Sequence, residues 1–483
     1  MVDLFDITSA ITSRLPEIRA PKIAPTAKER LIWTGVALVL YFMMYFTVCF
    51  GVKQDHGVGG MDFFNMITAS KMGSLLTTGI GPIVFASLFL QLFNGAGLFT
   101  IDTKSKEGRK KFLEAQKVFA VLLAFAEAAL FVYGGRVPLI TLAGVDPFFL
   151  SLFVVLQIAF GSIIIIYLDE ILTKYGIGSA ISLFIAAGVS YAIISGLIGL
   201  IFGSGGLLAT VAEGGAEAIP NSVLVLLPFV FTTIVFLACV YAEGIRVELP
   251  IAFTRIRGLV PKLPLKFFYV SNIPVIFANA LLLSVQLFAV TTLAGASFVL
   301  PGTDIDIAKL IAYVPSSQQP TIVDGFLYLI TPIYYGGKDT MTHFNYIING
   351  VSPVYHIPEW VHAIVHLLFL ASFSVMFGVF WIEMSGMDAK SVASQLSSSG
   401  LQVPGFRGDP RMLESILQKY VYPLTVVGSL SVGLLAGVAD LTGALGTGTG
   451  ILLTVGILYK MYEQMEQLKM FDLYPTLGRI ARG

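Results

Sequence analysis

Glu127 is the best-placed acid inside a long apolar run of this 483-residue chain. An ionisable group at such depth is the usual mark of proton or sodium coupling. No partner for it is evident in the sequence, so Glu127 is expected to be a satisfied structural group rather than a coupling site. Asp169, Glu170, Glu243 and Asp440 fall near the ends of other apolar runs. His362 and His366 stand four residues apart on one helical face, a spacing that can hold a metal ion. No glutamate lies between them and no third ligand is evident, so neither a metal nor any other cofactor is expected. The chain has no GxxxxGK[ST] loop to cradle phosphates and no nucleophile with an organised base. An enzyme is not expected, and any nucleotide hydrolysis must come from another protein.

What the chain offers instead is an aliphatic pattern given twice. Ile80-Gly-Pro82-Ile-Val84 and Ile273-Pro274-Val-Ile276 each set a branched side chain two positions after a proline, Val84 and Ile276 respectively. Matched interruptions of apolar segments in two halves point to a central pathway between them. Here the lining is aliphatic, which favours a sealed pore over an ion- or metabolite-binding site. Branched aliphatic side chains expel water from a narrow constriction, and they offer no polar group to which a passing molecule could stick.

These residues need a membrane scaffold. The chain is 56% hydrophobic and 12% charged, with a mean hydropathy of +0.83, where a soluble chain carries about 25% charged residues. Net charge is zero, which excludes a bulk attraction to nucleic acid and leaves only local patches. Cys49 and Cys239 lie in separate apolar runs and cannot build a disulfide framework. The first thirty residues are charged and hold three prolines, unlike a cleaved signal. There Leu4, Phe5, Ile7, Ile11 and Leu15 share one helical face, as in a helix lying on the membrane surface, with a disordered lead-in as the alternative.

A span needs about 20 mostly apolar residues. That length gives ten spans, at 31–51, 75–94, 112–134, 148–172, 177–202, 222–243, 267–295, 358–383, 420–440 and 444–462. Of the 30 Lys and Arg residues, 24 fall on the side of both termini and 5 on the other, with Lys117 inside the third span. Cationic loops stay in the cytoplasm, so both termini and the loops 95–111, 244–266 and 384–419 are expected there. Loop 296–357 then faces outward. Asp62 to Met72 is amphipathic and runs straight into the second span. A half-inserted helix capping a pore and a surface helix both suit it.

An offset of five spans pairs the second with the seventh and the fifth with the tenth. Gly176-Ile-Gly178-Ser before Ile181 and Ile185 rhymes with Gly446-Thr-Gly448-Thr-Gly450 before Leu453. Five spans per half make the copies inverted. The division is an N-terminal segment 1–30, a first half 31–203, an external linker 204–221, a second half 222–462 and a tail 463–483.

Together these stretches resemble the SecY family, the large subunit of the protein-conducting translocon, in its archaeal form. The carriers are Gly79-Ile-Gly-Pro-Ile-Val84 with Gln91-Leu, Gly176 through Ile185, Tyr269-Val-Ser-Asn-Ile-Pro-Val-Ile276, Gly405-Phe-Arg407 and Ala444 through Leu453. The resemblance spans essentially the whole chain. It implies an all-α integral membrane protein, ten transmembrane helices in two inverted five-helix halves around a central hourglass pore. It further implies a pore ring of Ile80, Val84, Ile181, Ile185, Ile276 and Leu453. The plug would be Asp62, Phe63, Phe64, Asn65, Met66, Ile67, Thr68, Ala69, Ser70, Lys71 and Met72.

A lateral gate would open between spans two and seven, near Phe85, Gln91 and Ser284. Positions that in relatives often carry small polar residues are Phe85 and Ser284 here, and the bulky Phe85 makes a drier gate. Arg255, Arg257 and Lys262 would dock a ribosome, and Arg407 would engage the driving partner. Expected partners are a SecE-type subunit, a small beta-type subunit, the ribosome, signal sequences and nascent polypeptides, and membrane lipid. The expected place is the cell membrane. An inverted-repeat secondary transporter of a small solute is the alternative, and it would need polar groups converging at mid-membrane.

Overall fold

The computed structural model describes residues 16–22, 25–53, 68–95, 106–141, 144–203, 206–213, 218–250, 252–253, 262–293, 295–299, 306–315, 322–333, 340–398, 401–402 and 410–473. Long helices dominate these residues. They are α1 (Ala27–Phe46), α2 (Gly81–Gly95), α3 (Lys106–Tyr133), α4 (Pro147–Tyr175), α5 (Ala180–Phe202), the short α6 (Leu207–Glu213) and α7 (Ala218–Gly244). Strands β1 (Arg246–Pro250), β2 (Ala252–Phe253) and β3 (Lys262–Lys266) follow. Then come α8 (Ile273–Leu293), α9 (Ile307–Ile311), α10 (Phe326–Ile330), α11 (Thr340–Asn349), α12 (Glu359–Ser385) and α13 (Ala389–Ser398). The chain closes with β4 (Leu401–Gln402), α14 (Pro410–Leu441) and α15 (Gly448–Leu473).

Among the described residues eight helices are long and apolar enough to cross a membrane, two fewer than the ten expected spans. At the second position stands α2, apolar but only 15 residues long. At the tenth stands α15, which carries Lys460, Glu463 and Glu466 and runs on to Leu473, well into the expected tail. Apolar side chains on the outside, such as Leu31, Ile32, Phe229, Ile234 and Leu237, are exposed as a lipid-facing surface would be.

Local chemistry sets the helix starts. Thr26 and Glu29 form a reciprocal capping box on α1, with bonds of 2.8 and 3.3 Å. Asp146 accepts the Phe148 amide at 2.9 Å ahead of Pro147 and starts α4. The two signature prolines behave differently from the expected interruptions. Helices α2 and α8 begin at Gly81 and Ile273, so Pro82 and Pro274 are each the second residue of their helix. The apolar stretches 75–80 and 267–272 are not helical. A proline is cheap there, because the first turn of a helix has no intrahelical use for its N–H groups. Both spans are thus shortened at the same end by the same device.

Packing divides the described residues into two compact units. One comprises segments within Met1–Ser195, Val285–Gly325 and Ile457–Gly483, the other within Gly196–Ser284 and Phe326–Gly456. In the second unit α12 and α14 pack at backbone range, since a Cβ at Gly433 would lie 2.8 Å from the Leu370 carbonyl.

Candidate functional site

In the first unit, the residues just before α2 form a tight anchor. Met72 and the residues before it, back to Thr68, are turn and irregular backbone, so this described end of the expected plug is not helical. Ala69, with φ of +50°, cannot continue a right-handed helix. Residues Asp62 to Ile67 lie outside the described residues, as do Leu4 to Leu15. The Thr68 carbonyl accepts the Ile80 amide at 2.8 Å, and the Ile80 carbonyl accepts those of Ile83 and Val84 at 3.1 and 3.2 Å. Gly79, at φ +54°, makes the approach possible; a Cβ there would sit 2.1 Å from the Thr68 oxygen. Ile80 is buried and Val84 half-buried.

The other first-unit ring candidates, Ile181 and Ile185, open α5 and are half-buried and buried. Asp169 presents its carboxylate to the backbone N–H groups of Ala180 and Ile181 at that helix start. Its neighbour Glu170 is bridged by Lys117 and Lys174, each at 2.9 Å. Glu170 also accepts the Ile18 amide at 3.1 Å, while Lys117 reaches the Pro16 carbonyl at 3.1 Å. The N-terminal segment is thereby strapped to α3 and α4.

Glu127 departs from expectation. Both its carboxylate oxygens are buried and take no hydrogen bond among the described residues. The reason is its neighbour. Oε2 faces the start of α2, where a Cβ on Gly81 would lie only 2.9 Å away, and glycine offers it no side-chain donor.

In the second unit, Ile276 is half-buried on α8 and Leu453 buried on α15. Their helices are tied by Asn272, whose Nδ2 donates to the Leu452 carbonyl at 3.0 Å. The Asn272 carbonyl also accepts the Ile276 amide at 3.2 Å. Asp440 caps α15, taking the Gly448 amide at 2.7 Å and the Thr449 hydroxyl at 2.8 Å. Asp440 and Asp169 therefore do the same work at corresponding helix starts. The sequence carried that signal as an acid shortly before a glycine-rich helix start.

Two of the gate candidates donate within their own helices, although Gln91 Oε1 takes no hydrogen bond among the described residues. Gln91 Nε2 donates to Ser87 Oγ at 2.9 Å, and Ser284 Oγ to the Ala280 carbonyl at 2.8 Å. Phe85 is buried. Arg255, Arg257 and Arg407 lie outside the described residues; Lys262 is in β3, in register with Pro250 of β1. The two basic loops that hold these residues are not separate. Antiparallel pairing of β2 with β4 joins them, Ala252 opposite Gln402 and Phe253 opposite Leu401. An apolar core of Leu265, Val270, Ile382, Ala393, Leu413, Leu417 and Val421 packs in the same unit.

The histidine pair is bonded to neighbouring segments. Glu359, fully buried, accepts the Tyr328 hydroxyl at 2.7 Å and the Tyr346 hydroxyl at 3.2 Å, and its other oxygen lies 2.9 Å from His362 Nδ1. His362 Nε2 donates to the Thr331 carbonyl at 2.8 Å, and His366 Nδ1 to that of Ile330 at 2.8 Å. Among the described residues no group of three ligands could hold a metal. Burial also depresses the basicity of His343 on α11.

Residues 74–462 match the family model for SecY. The protein translocase subunit SecY of Methanocaldococcus jannaschii is 41% identical over 475 residues, 97% of this chain and 98% of that one. A solved structure in which the plug domain of SecY stabilises the closed state of the translocation channel and maintains a membrane seal has a TM-score of 0.74 and 39% identity. That match covers 96% of this chain and 98% of the other. Sec61 in the canine ribosome-channel complex from the endoplasmic reticulum matches at a TM-score of 0.73 and 39% identity, with 96% and 98% covered. The chain belongs to the SecY family.

Proposed function

We propose that this protein is the pore-forming subunit of a protein translocation channel, a multi-pass membrane protein with no catalytic activity of its own. Ten spans, with α2 and α15 as the second and tenth, form two inverted halves around an hourglass pore. Ile80, Val84, Ile181, Ile185, Ile276 and Leu453 form its neck, where aliphatic side chains exclude water yet yield to a threaded chain. Residues 62–72 plug the resting channel. Hydrophobic segments leave sideways between α2 and α8, past Phe85, Gln91 and Ser284, driven by burial of apolar area at about 25 cal/mol per Å².

The loops joined by β2 and β4 form a cytoplasmic platform for a ribosome, with Arg255, Arg257, Lys262 and Arg407 as its cations. A SecE-type and a small beta-type subunit complete the complex in the cell membrane, with both termini cytoplasmic. The observation that carries this reading is the shared construction of the neck positions. In each unit a proline-started helix and a glycine-led, aspartate-capped helix bear the aliphatic residues at their beginnings. The six neck positions themselves carry aliphatic side chains and no polar ones, so the transporter reading is not favoured.

Crosslinking from a ribosome-stalled secretory chain tests it. Photoreactive groups at Val84, Ile185 and Ile276 should all capture the same short stretch of nascent chain. Capture of lipid alone at these three positions would end the proposal.

A further inference from the structure

We infer that Tyr41 is a positioning residue that holds the channel shut, by pinning the turn through which the plug joins α2. The inference rests on the plug reading proposed above.

Tyr41 is 0% exposed on α1, and its hydroxyl donates to the Ala69 carbonyl at 2.9 Å. Its ring stacks on Phe184 of α5, with centroids 4.9 Å apart and planes 10° from parallel. Gly188, one turn further along α5, leaves room for this contact. A Cβ there would lie 3.2 Å from the Tyr41 hydroxyl and 3.5 Å from Ala69 Cα. Ala69 is itself held in the left-handed region, which an alanine adopts only when its surroundings impose it. Thr68 and Ser70 on either side share a side-chain hydrogen bond of 2.7 Å.

A second hold comes from the same helix. Lys71 Nζ lies 5.0 Å from the Phe46 ring centroid and 5.5 Å from that of Tyr45. Helix α1 therefore grips the turn at Ala69 and at Lys71, while the Thr68 carbonyl holds the neck residue Ile80 by its amide. Displacing the plug draws the turn out of this seat. It strips a buried hydroxyl of its acceptor in a place where replacement is costly. The Tyr41 hydroxyl thus favours the seated, closed state, and its ring, stacked on the residue before Ile185, aligns the turn with the neck.

The test is resting ion conductance of the whole channel complex in vesicles, for wild type, Tyr41→Phe, a deletion of 62–67 and the two combined. Tyr41→Phe keeps the stacked ring and loses only the hydroxyl. It should raise resting conductance about two- to tenfold, the range expected from one buried hydrogen bond. Its thermal midpoint should stay near that of wild type. The deletion should leak more, and adding Tyr41→Phe to it should change nothing further, because the turn then has no plug to seat.

Wild-type conductance for Tyr41→Phe beside a leaking deletion would overturn the role of Tyr41 and leave the plug reading standing. Wild-type conductance for the deletion would overturn the plug reading itself. An equal added leak in the deleted background would show that Tyr41 acts on the fold at large, and would also overturn the inference. Should Tyr41→Phe fail to assemble, Lys71→Met decides, with a leak absent from the deleted background expected and wild-type conductance overturning the proposal.

Discussion

Asp440 holds Thr449 twice, its Oδ2 taking the side-chain hydroxyl at 2.8 Å and its Oδ1 the backbone amide at 3.2 Å. With the Gly448 amide also bound, three donors at the start of α15 converge on one buried carboxylate. Asp169 caps α5 through Ala180 and Ile181 in the other unit. Asp440→Ala and Asp169→Ala should each cost about 0.5–2 kcal/mol, the range of a lost N-cap. Asn at either position keeps an acceptor and should cost less. Thermal unfolding in detergent measures this, and a neutral Asp440→Ala would show that the cap is idle.

Glu359 joins three elements at a single carboxylate. Tyr328 of α10, Tyr346 of α11 and His362 of α12 all reach it. Glu359→Leu leaves these partners buried without an acceptor and should destabilise the protein by about 3–5 kcal/mol. Tyr346→Phe removes one donor and should cost about 1 kcal/mol. Limited proteolysis within 340–349 should accelerate in the same order. Equal stability of the two variants would mean that Glu359 is no hub.

Asp306 gives a pH dependence outside the membrane spans. The Phe298 amide, donating at 2.9 Å, is the main cause holding its carboxyl below the usual aspartate range, and the Ala308 amide adds to the cap of α9. A lowered folded value stabilises the ionised, folded loop above the ordinary aspartate value of about 3.9. That contribution fades as pH falls through this value towards the lower folded one. Hydrogen exchange at Phe298, compared with its neighbours, should therefore accelerate below about pH 4. In Asp306→Asn the acceleration should vanish; a flat wild-type profile would refute the link.

Ile276 tests the neck. Ile276→Asn places a hydrogen-bonding group where dewetting is proposed to seal the pore. Resting ion conductance in reconstituted vesicles should rise severalfold. Should it equal the wild type, the seal does not depend on aliphatic lining at that position.

Apolar run length made most of the spanning helices legible, because a segment in lipid must satisfy its backbone internally. Their starts were not. Leu75 to Ile80 is as apolar as the helix it precedes, and only its backbone bonds, Thr68–Ile80 among them, show that the chain turns there instead of coiling. Glu127 likewise read as a group that would find a partner, but packing sets it against Gly81, which has no side chain to donate.

The amino-acid order alone determined that this is a membrane protein with rhyming proline- and glycine-marked segments, and with aliphatic residues at the helix starts. Composition, proline placement and glycine spacing are local quantities, and the chain carries them whatever its fold. Only the tertiary structure decided which carbonyl receives Tyr41, which carboxylates cap α5 and α15, and that one strand pair joins two loops some 150 residues apart. Hydrogen bonds between residues distant in sequence have no local signature, because any of many buried donors could serve until packing selects one.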